Sequence, residues 1–465
     1  MNADPLPSLT KYFKCPDSIL NFAVNEHLST REGFFRLGAD TVCYGRCSTE
    51  RLSKEPGPDL LDTSGNVQAN GRGVLLPFDP EEIVRNLRQE RYAADCAQYR
   101  RNDTIIREFY YLLRPWMPLS FRKHLQRIYL KGWDKLSFPK WPVDRTVDHL
   151  LQQLMMLGLR SKGLESIPFI WFWPEGANAC AIMTHDVEDN PGKLFCSQLM
   201  DLDESFGVPA SFQIVPEVRY SVEPEFLEGI RKRGFEINVQ DLNHDGRLFQ
   251  EKATFESRVK KINRYGKEYQ AVGFRSAILY RNQEWFDHLD FEYDMSVPSV
   301  AHLDPQRGGC CTVMPYFVGG LVELPVTMTQ DHTLFNVMGD FTNSLWQQQI
   351  QFTHRHNGLM NFIVHPDYIL RQQAQDAFKS LLGVLGRMRQ EDNLWLALPR
   401  DVNRWWRQRD AMTLSFRGSE WCIEGEGSER ARLAFASLKE DQLVYSLAEP
   451  GNAVHANELN TSGKN

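Results

Sequence analysis

The sequence predicts an α/β fold built around a distorted parallel (β/α) barrel. From Ile167 to about residue 400, short apolar runs alternate with helix-like segments, which is the pattern of repeated βα units. Polar and charged residues gather directly after these runs, at what would be one rim of a barrel. The composition agrees: 42% hydrophobic and 24% charged over 465 residues is ordinary for a globular chain. It excludes collagen-like, low-complexity and wholly disordered readings. With 53 Lys and Arg against 60 Asp and Glu, the net charge is −7. That lacks the basic footprint of a general nucleic-acid binder.

Taken in order, residues 1 to about 75 are rich in Gly, Ser, Asp and Pro with weak periodicity, and read as an irregular leader. Asp79–Tyr99 has helical spacing and an acidic first turn after Pro80. Residues 100–140 are basic and aromatic. Over 114–135 they suit either an interfacial helix on an anionic membrane surface or, the favoured reading, a packed helix with a solvated basic face. Strands are expected at Ala179–Thr184, Ala210–Ile214, Phe235–Val239, Ala271–Phe274, Phe291–Tyr293, Gly320–Leu324, Leu359–Val364 and Leu394–Ala397. Helices are expected near 193–206, 223–233, 249–264, 343–356 and 371–390. Such units fit a barrel or a doubly wound sheet, and the barrel is preferred. Alternating residues over 411–448 predict a small antiparallel β addition. The expected divisions are an N-terminal extension (1–165), the barrel (166–400), the β addition (401–450) and a frayed tail (451–465).

No run of eighteen apolar residues suggests a transmembrane helix. The opening MNADPLPSLTKYFK lacks the basic start and apolar core of a signal peptide. Nine cysteines, an odd number with no CxxC pair, point to reduced thiols and a cytoplasmic setting. There is no GxSxG elbow, P-loop, GxGxxG after a strand, or HExxH. Serine-hydrolase, nucleotide, dinucleotide and HExxH metalloprotease chemistry are therefore disfavoured.

The chemistry concentrates after the expected strands. The first is followed by His185-Asp186-Val187-Glu188, and the third by Gln240-Asp241-Leu242-Asn243-His244. Arg275 follows the fourth, and Asp294 the fifth. Glu323 closes the sixth, with Asp331 and His332 beyond it. His365-Pro366-Asp367 follows the seventh. An isolated Asp there would be an ordinary helix cap, but the recurrence at successive strand ends points to a site. An Asp and a Glu two apart, with a histidine from another strand, can hold one divalent metal with an open position. A further carboxylate and histidine can serve as base and acid. The set suits hydrolysis of an ester or amide without a covalent intermediate.

The motif order in Thr184-His185-Asp186-Val187-Glu188, Leu242-Asn243-His244-Asp245-Gly246, GFRSAILYRN and MNFIVHPDY resembles the NodB-type polysaccharide deacetylases. These are metal-dependent carbohydrate esterases with a distorted barrel. The likeness spans about residues 168–400 and is nearest a bacterial subgroup with THDVE and LNHDG motifs. It implies Asp186 as base, Arg275 orienting it, His365 as general acid with Asp367 beside it, and Glu188 and His244 as metal ligands. Gln240 stands where the family's other metal histidine would be, and an amide oxygen is a poorer zinc ligand. Three outcomes stay open. Asp186, Glu188 and His244 hold the ion with Gln240 ligating weakly; His185 or Asp241 replaces the missing ligand; or the barrel binds carbohydrate without metal or chemistry. The implied ion is zinc, with cobalt, nickel or manganese as substitutes. The implied substrate is an N- or O-acetylated sugar of a glycan, glycolipid or envelope-polymer precursor, reached from the cytoplasmic side. A hydrolase of a non-sugar C–N bond is the other enzymatic reading. Asp294, Glu323 and His332 complete the expected rim, and Tyr280, Trp285 and Tyr293 are the expected sugar-subsite aromatics.

Overall fold

A computed structural model describes residues 6–17, 19–70, 73–96, 119–418 and 420–448, the side chains of 95 and 119–123 excepted. The expected membrane-surface stretch 114–135 thus lies partly, and the expected frayed tail 451–465 wholly, outside the described residues. The chain divides into two compact units. One comprises 1–96, 145–177 and 405–465; the other comprises 97–144 and 178–404.

In the first unit, Ser166–Ile170 pairs antiparallel with Leu433–Lys439, which in turn pairs with Gln442–Leu447. The sequence reading had assigned Ser166–Ile170 to the barrel range. Its partner lies in the tail, so the N-terminal extension and the β addition share one unit. The leader carries short strands at Phe22–Val24, Gly33–Leu37, Thr41–Gly45, Gln68–Asn70 and Gly73–Leu76. The helix expected over Asp79–Tyr99 is split. Asp79 caps Pro80–Arg88 by accepting from Glu81 N–H, and Glu90 at φ +56° separates it from Arg91–Asp95.

The second unit holds the sheet. Its strands are β1 (Ala179–Val187), β2 (Ala210–Ile214), β3 (Glu236–Gln240), β4 (Gly273–Arg275), β5 (Tyr293–Asp294), β6 (Tyr316–Val318), β7 (Leu321–Glu323), β8 (Leu359–Val364) and β9 (Leu394–Leu396). The order is β6-β7-β5-β4-β3-β2-β1-β8, with β9 beside the start of β1. All these pairings are parallel except the β6–β7 hairpin. Helices α1 (Asn190–Ser205), α2 (Pro224–Lys232), α3 (Lys252–Glu268), α4 (Ser344–Arg355) and α5 (Gln372–Glu391) lie between strands in the chain. The seam between β8 and the segment after β7 is stitched by side chains. Thr327 Oγ1 donates to Leu359 O (2.6 Å) and accepts from Asn361 N–H (3.0 Å), while Asn361 Nδ2 donates to Leu324 O (2.9 Å). Curled shut by this irregular seam, the sheet is a distorted parallel (β/α) barrel.

Strand side chains alternate between faces. Ala181, Met183 and Val187 of β1, Phe212 and Ile214 of β2, Ile237 and Val239 of β3, and Phe274 of β4 join the apolar core shared with the helices. The alternate residues face inward and are largely polar. Low in the barrel, Tyr293 Oη donates to Glu236 Oε1 (2.6 Å). Gly273 makes room for that ring, since a Cβ there would lie 2.2 Å from it. Burial pushes the Glu236 carboxyl from its ordinary 4.5 up to about 7, against the opposing hydrogen bonds from Tyr293 and Arg400 N–H. The folded protein therefore binds a proton there that the unfolded chain releases between pH 4.5 and 7. Stability from this group is full below about pH 4.5 and falls, on the order of 3 kcal/mol, as pH rises to about 7. Glu236→Gln is expected to flatten that slope, read as denaturation midpoints across this range.

Candidate active site

Asp186 lies one residue before the end of β1, on its inward face, 3% exposed. Arg275 ends β4 and is fully buried. Its Nη1 donates to Asp186 Oδ1 (2.7 Å) and Thr184 Oγ1 (2.8 Å), and its Nε donates to Met295 O (3.1 Å). The guanidinium thus fixes one oxygen of Asp186. Gln240 ends β3 in register with Arg275. Its Nε2 donates to Asp186 Oδ2 (3.1 Å) and Glu188 Oε1 (3.2 Å), while its buried Oε1 has no hydrogen bond. The amide nitrogen, rather than the oxygen, faces the carboxylates. Gln240 acts as a hydrogen-bond donor to both carboxylates in this arrangement.

Glu188 is the centre of charge. Its Oε1 lies 2.8 Å from His244 Nε2 and 3.4 Å from His365 Nε2. Burial pushes this carboxyl up, but the two histidines outweigh it and hold the group well below the usual range. His365 follows β8 directly. Its Nδ1 lies 2.7 Å from Asp331 Oδ1, and its backbone N–H donates to Asp331 Oδ2 (2.7 Å). Burial lowers its pKa, but Asp331 and Glu188 reverse this and raise it well above the ordinary imidazole value. Asp331 holds Nδ1, which leaves Nε2 directed toward Glu188.

The donor set fits a divalent ion. Asp186, Glu188 and His365 each offer a ligand atom, and these atoms lie within 4.8 Å of one another. His244 is 3% exposed and neither of its ring nitrogens makes an aligned hydrogen bond, despite the close approach to Glu188. Buried imidazole nitrogen beside carboxylate oxygen is a donor chemistry that zinc accepts.

Other expected rim residues have different surroundings. His185 alternates with Asp186 and faces outward, bonded to Asp203 of α1 (2.9 Å) and Val364 O (3.1 Å). Asp294 and Glu323 are in register with Phe274, on the face opposite Arg275. Asp294 accepts from Ser296, and Glu323 from Val297 N–H, so the pair shapes the turn after β5. Asp241, at φ +51°, accepts from Leu242 N–H, and burial raises its carboxyl to about 6. His332 packs against Tyr368, with ring centroids 5.3 Å apart and planes tilted by 45°. Asp367 is pushed by burial to about 7, with His365 opposing the shift. Of the expected aromatics, Tyr293 is committed to Glu236, and Trp285 packs on Phe249 and Phe255.

Asp331, noted in sequence only as part of the run Gln330-Asp331-His332, is the residue that holds His365. Asp331→Asn keeps the shape but withdraws the charge beside His365. The expected result is a loss of turnover of roughly 10²-fold or more, with the basic limb of the pH–rate profile moved to lower pH as the imidazolium loses its partner. An unchanged profile would separate Asp331 from the reaction.

No family model and no curated protein matches the sequence. Among solved structures, the chain is similar to a polysaccharide deacetylase from Mycobacterium smegmatis at 19% identity, covering 54% of this chain and 98% of that one, TM-score 0.43. It is also similar to Puue allantoinase at 11% identity (50% and 92% covered, TM-score 0.41). A family 4 acetyl xylan esterase from Clostridium thermocellum, solved with a cobalt ion, matches at 13% identity (49% and 91% covered, TM-score 0.31). At TM-scores below 0.5, the reading of the site rests on its own residues and distances.

Proposed function

We propose that the protein is a divalent-metal-dependent deacetylase of the polysaccharide deacetylase kind. Its substrate would be an N- or O-acetylated sugar of a glycan, glycolipid or envelope-polymer precursor. The observation that supports this best is a division of labour around Glu188: the Arg275-held Asp186 carboxylate on one side and the Asp331-held His365 ring on the other, with His244 facing Glu188 itself. Glu188 and His244 would hold the ion, with Asp186 in reach, and His365 would keep its Nε2 proton for the leaving group. When bound, such an ion polarises an acyl oxygen and acidifies water.

The chain's own residues supply the proton traffic. Asp186, with Oδ1 held by Arg275, has at Oδ2 a lone pair beyond the one facing Gln240 Nε2, and this would take a proton from the attacking water. As water adds to the acetyl carbon and the C–N or C–O bond breaks, His365 gives its proton to the departing sugar nitrogen or oxygen. Acetate is the other product. With Asp186 as base and His365 as acid, this scheme uses direct attack by water and no covalent intermediate. The setting that goes with this reading is bacterial and cytoplasmic. Among the described residues, no helix is long and apolar enough to cross a membrane.

Gln240 favours one second reading. Its Nε2 satisfies Asp186 and Glu188 without an ion, as would suit a metal-free carbohydrate-binding barrel. Metal analysis of purified protein, paired with calorimetry on acetylated oligosaccharides, separates the two. One bound equivalent of metal with acetate released supports the enzyme. Glycan binding with neither metal nor turnover supports the binding barrel.

A further inference from the structure

Beyond the catalytic groups, the barrel mouth carries an arc of exposed aliphatic side chains. Val218 is 84% exposed, Leu194 71%, Leu370 45%, Met338 41% and Ile128 55%. Four of them lie on segments that follow strand C-terminal ends, which share one face of a βα barrel. Val218 follows β2, Leu194 is in the first turns of α1 after β1, Met338 follows β7 and Leu370 follows β8. The segments that carry them are linked by contacts of flanking residues. Lys193 donates to Ser221 O (2.7 Å) and pairs with Glu223, joining α1 to the Val218 loop. Gly192 packs on Asp367, where a Cβ would lie 3.4 Å from its nitrogen. Tyr368 meets His332, and Arg127 Nη2 donates to Asn336 O (3.2 Å), which brings the Ile128 helix (Leu119–Tyr129) alongside Met338.

The Val218 loop is also tied to the site itself. Arg219 Nε donates to Glu188 O and Tyr220 Oη to Val187 O, each at 2.7 Å. Between these anchors and Pro216, Val218 sits at φ +76°, a strained conformation for a β-branched residue. The strain presents an isopropyl group to the exterior beside the catalytic rim.

We propose that this arc seats the barrel mouth on an anionic lipid bilayer. Charge is the first argument. The described part of the Leu119–Tyr129 helix and the turn after it carry Arg127 and Lys131, with no acidic residue over 124–131, which suits anionic headgroups. Access is the second. A second copy seated on the arc would cover Asp186 and His365, whereas a membrane delivers its own lipids to them. Resting on the deacetylase reading, the substrate class then narrows to an acetylated sugar carried on a lipid.

The test is sedimentation of the full chain with vesicles of phosphatidylcholine alone and of equal parts phosphatidylcholine and phosphatidylglycerol. The wild type is expected to sediment with the second and much less with the first. Leu194→Ser, Val218→Ser and Leu370→Ser combined are expected to weaken binding about tenfold or more. The triple variant should keep the wild-type denaturation midpoint and its rate on a soluble acetylated oligosaccharide. Wild type that stays in the supernatant, or a triple variant that sediments equally, would overturn the proposal. So would a wild-type dimer that the triple variant dissociates. Vesicle binding without acetate release from soluble or lipid-carried sugars would instead remove the deacetylase reading and leave the docking surface standing.

Discussion

Asp186→Asn is expected to lower acetate release by roughly 10²–10⁴-fold while the barrel stays folded. The amide oxygen can still accept from Arg275, so the 2.7 Å contact survives. What disappears is the lone pair at Oδ2 that would take the proton. The amide nitrogen placed there would also meet Gln240 Nε2, donor against donor, where the wild type has a 3.1 Å hydrogen bond. Gln240 is therefore expected to turn its amide, bringing its oxygen toward Glu188 as well. Initial rates on an acetylated oligosaccharide, with a denaturation midpoint as control, check this. Activity within a few-fold of wild type would remove Asp186 from the role of base.

Arg275→Met is expected to be the most destabilising substitution at the site, by about 3–5 kcal/mol. The guanidinium is fully buried, and its hydrogen bonds reach Thr184, Asp186 and Met295 O. Methionine fills much of the volume but leaves the Asp186 carboxylate buried without its ion partner. The effect should appear as a lower urea midpoint with an unchanged slope. It should shrink when Asp186→Asn is added, because the neutral amide no longer needs the cation. If the two substitutions proved additive, the coupling drawn from the 2.7 Å contact would be wrong.

The strand pattern was legible because the strands are short runs, buried on both faces, with an unbroken apolar row on the helix-facing side. Ala210–Ile214 and Leu359–Val364 have the expected bounds, and β1 runs on through Val187. The rim was legible where strand phase could be counted. With Asp186 inward, period two already places His185 outward against Asp203. For β5 and β7, only two and three residues long, no sequence phase is fixed. Asp294 and Glu323 therefore could not be assigned to a face before the register with Phe274 was seen. The role of Asp331 was not legible for a related reason. It lies in an irregular segment after β7, and only the fold brings its carboxylate to His365, 34 positions along the chain. The joining of Ser166–Ile170 to Leu433–Lys439 is likewise a long-range pairing that local pattern does not carry.

The central claim is a metal-dependent hydrolytic site at this rim. It is tested most directly by measuring acetate release from an acetylated oligosaccharide with chelator-treated protein, titrated with zinc. The expected result is no release from the metal-free protein and recovery that saturates near one equivalent, with His244→Ala shifting saturation to higher zinc. Release that is indifferent to chelation, or absent at every zinc, cobalt, nickel and manganese concentration, would contradict it.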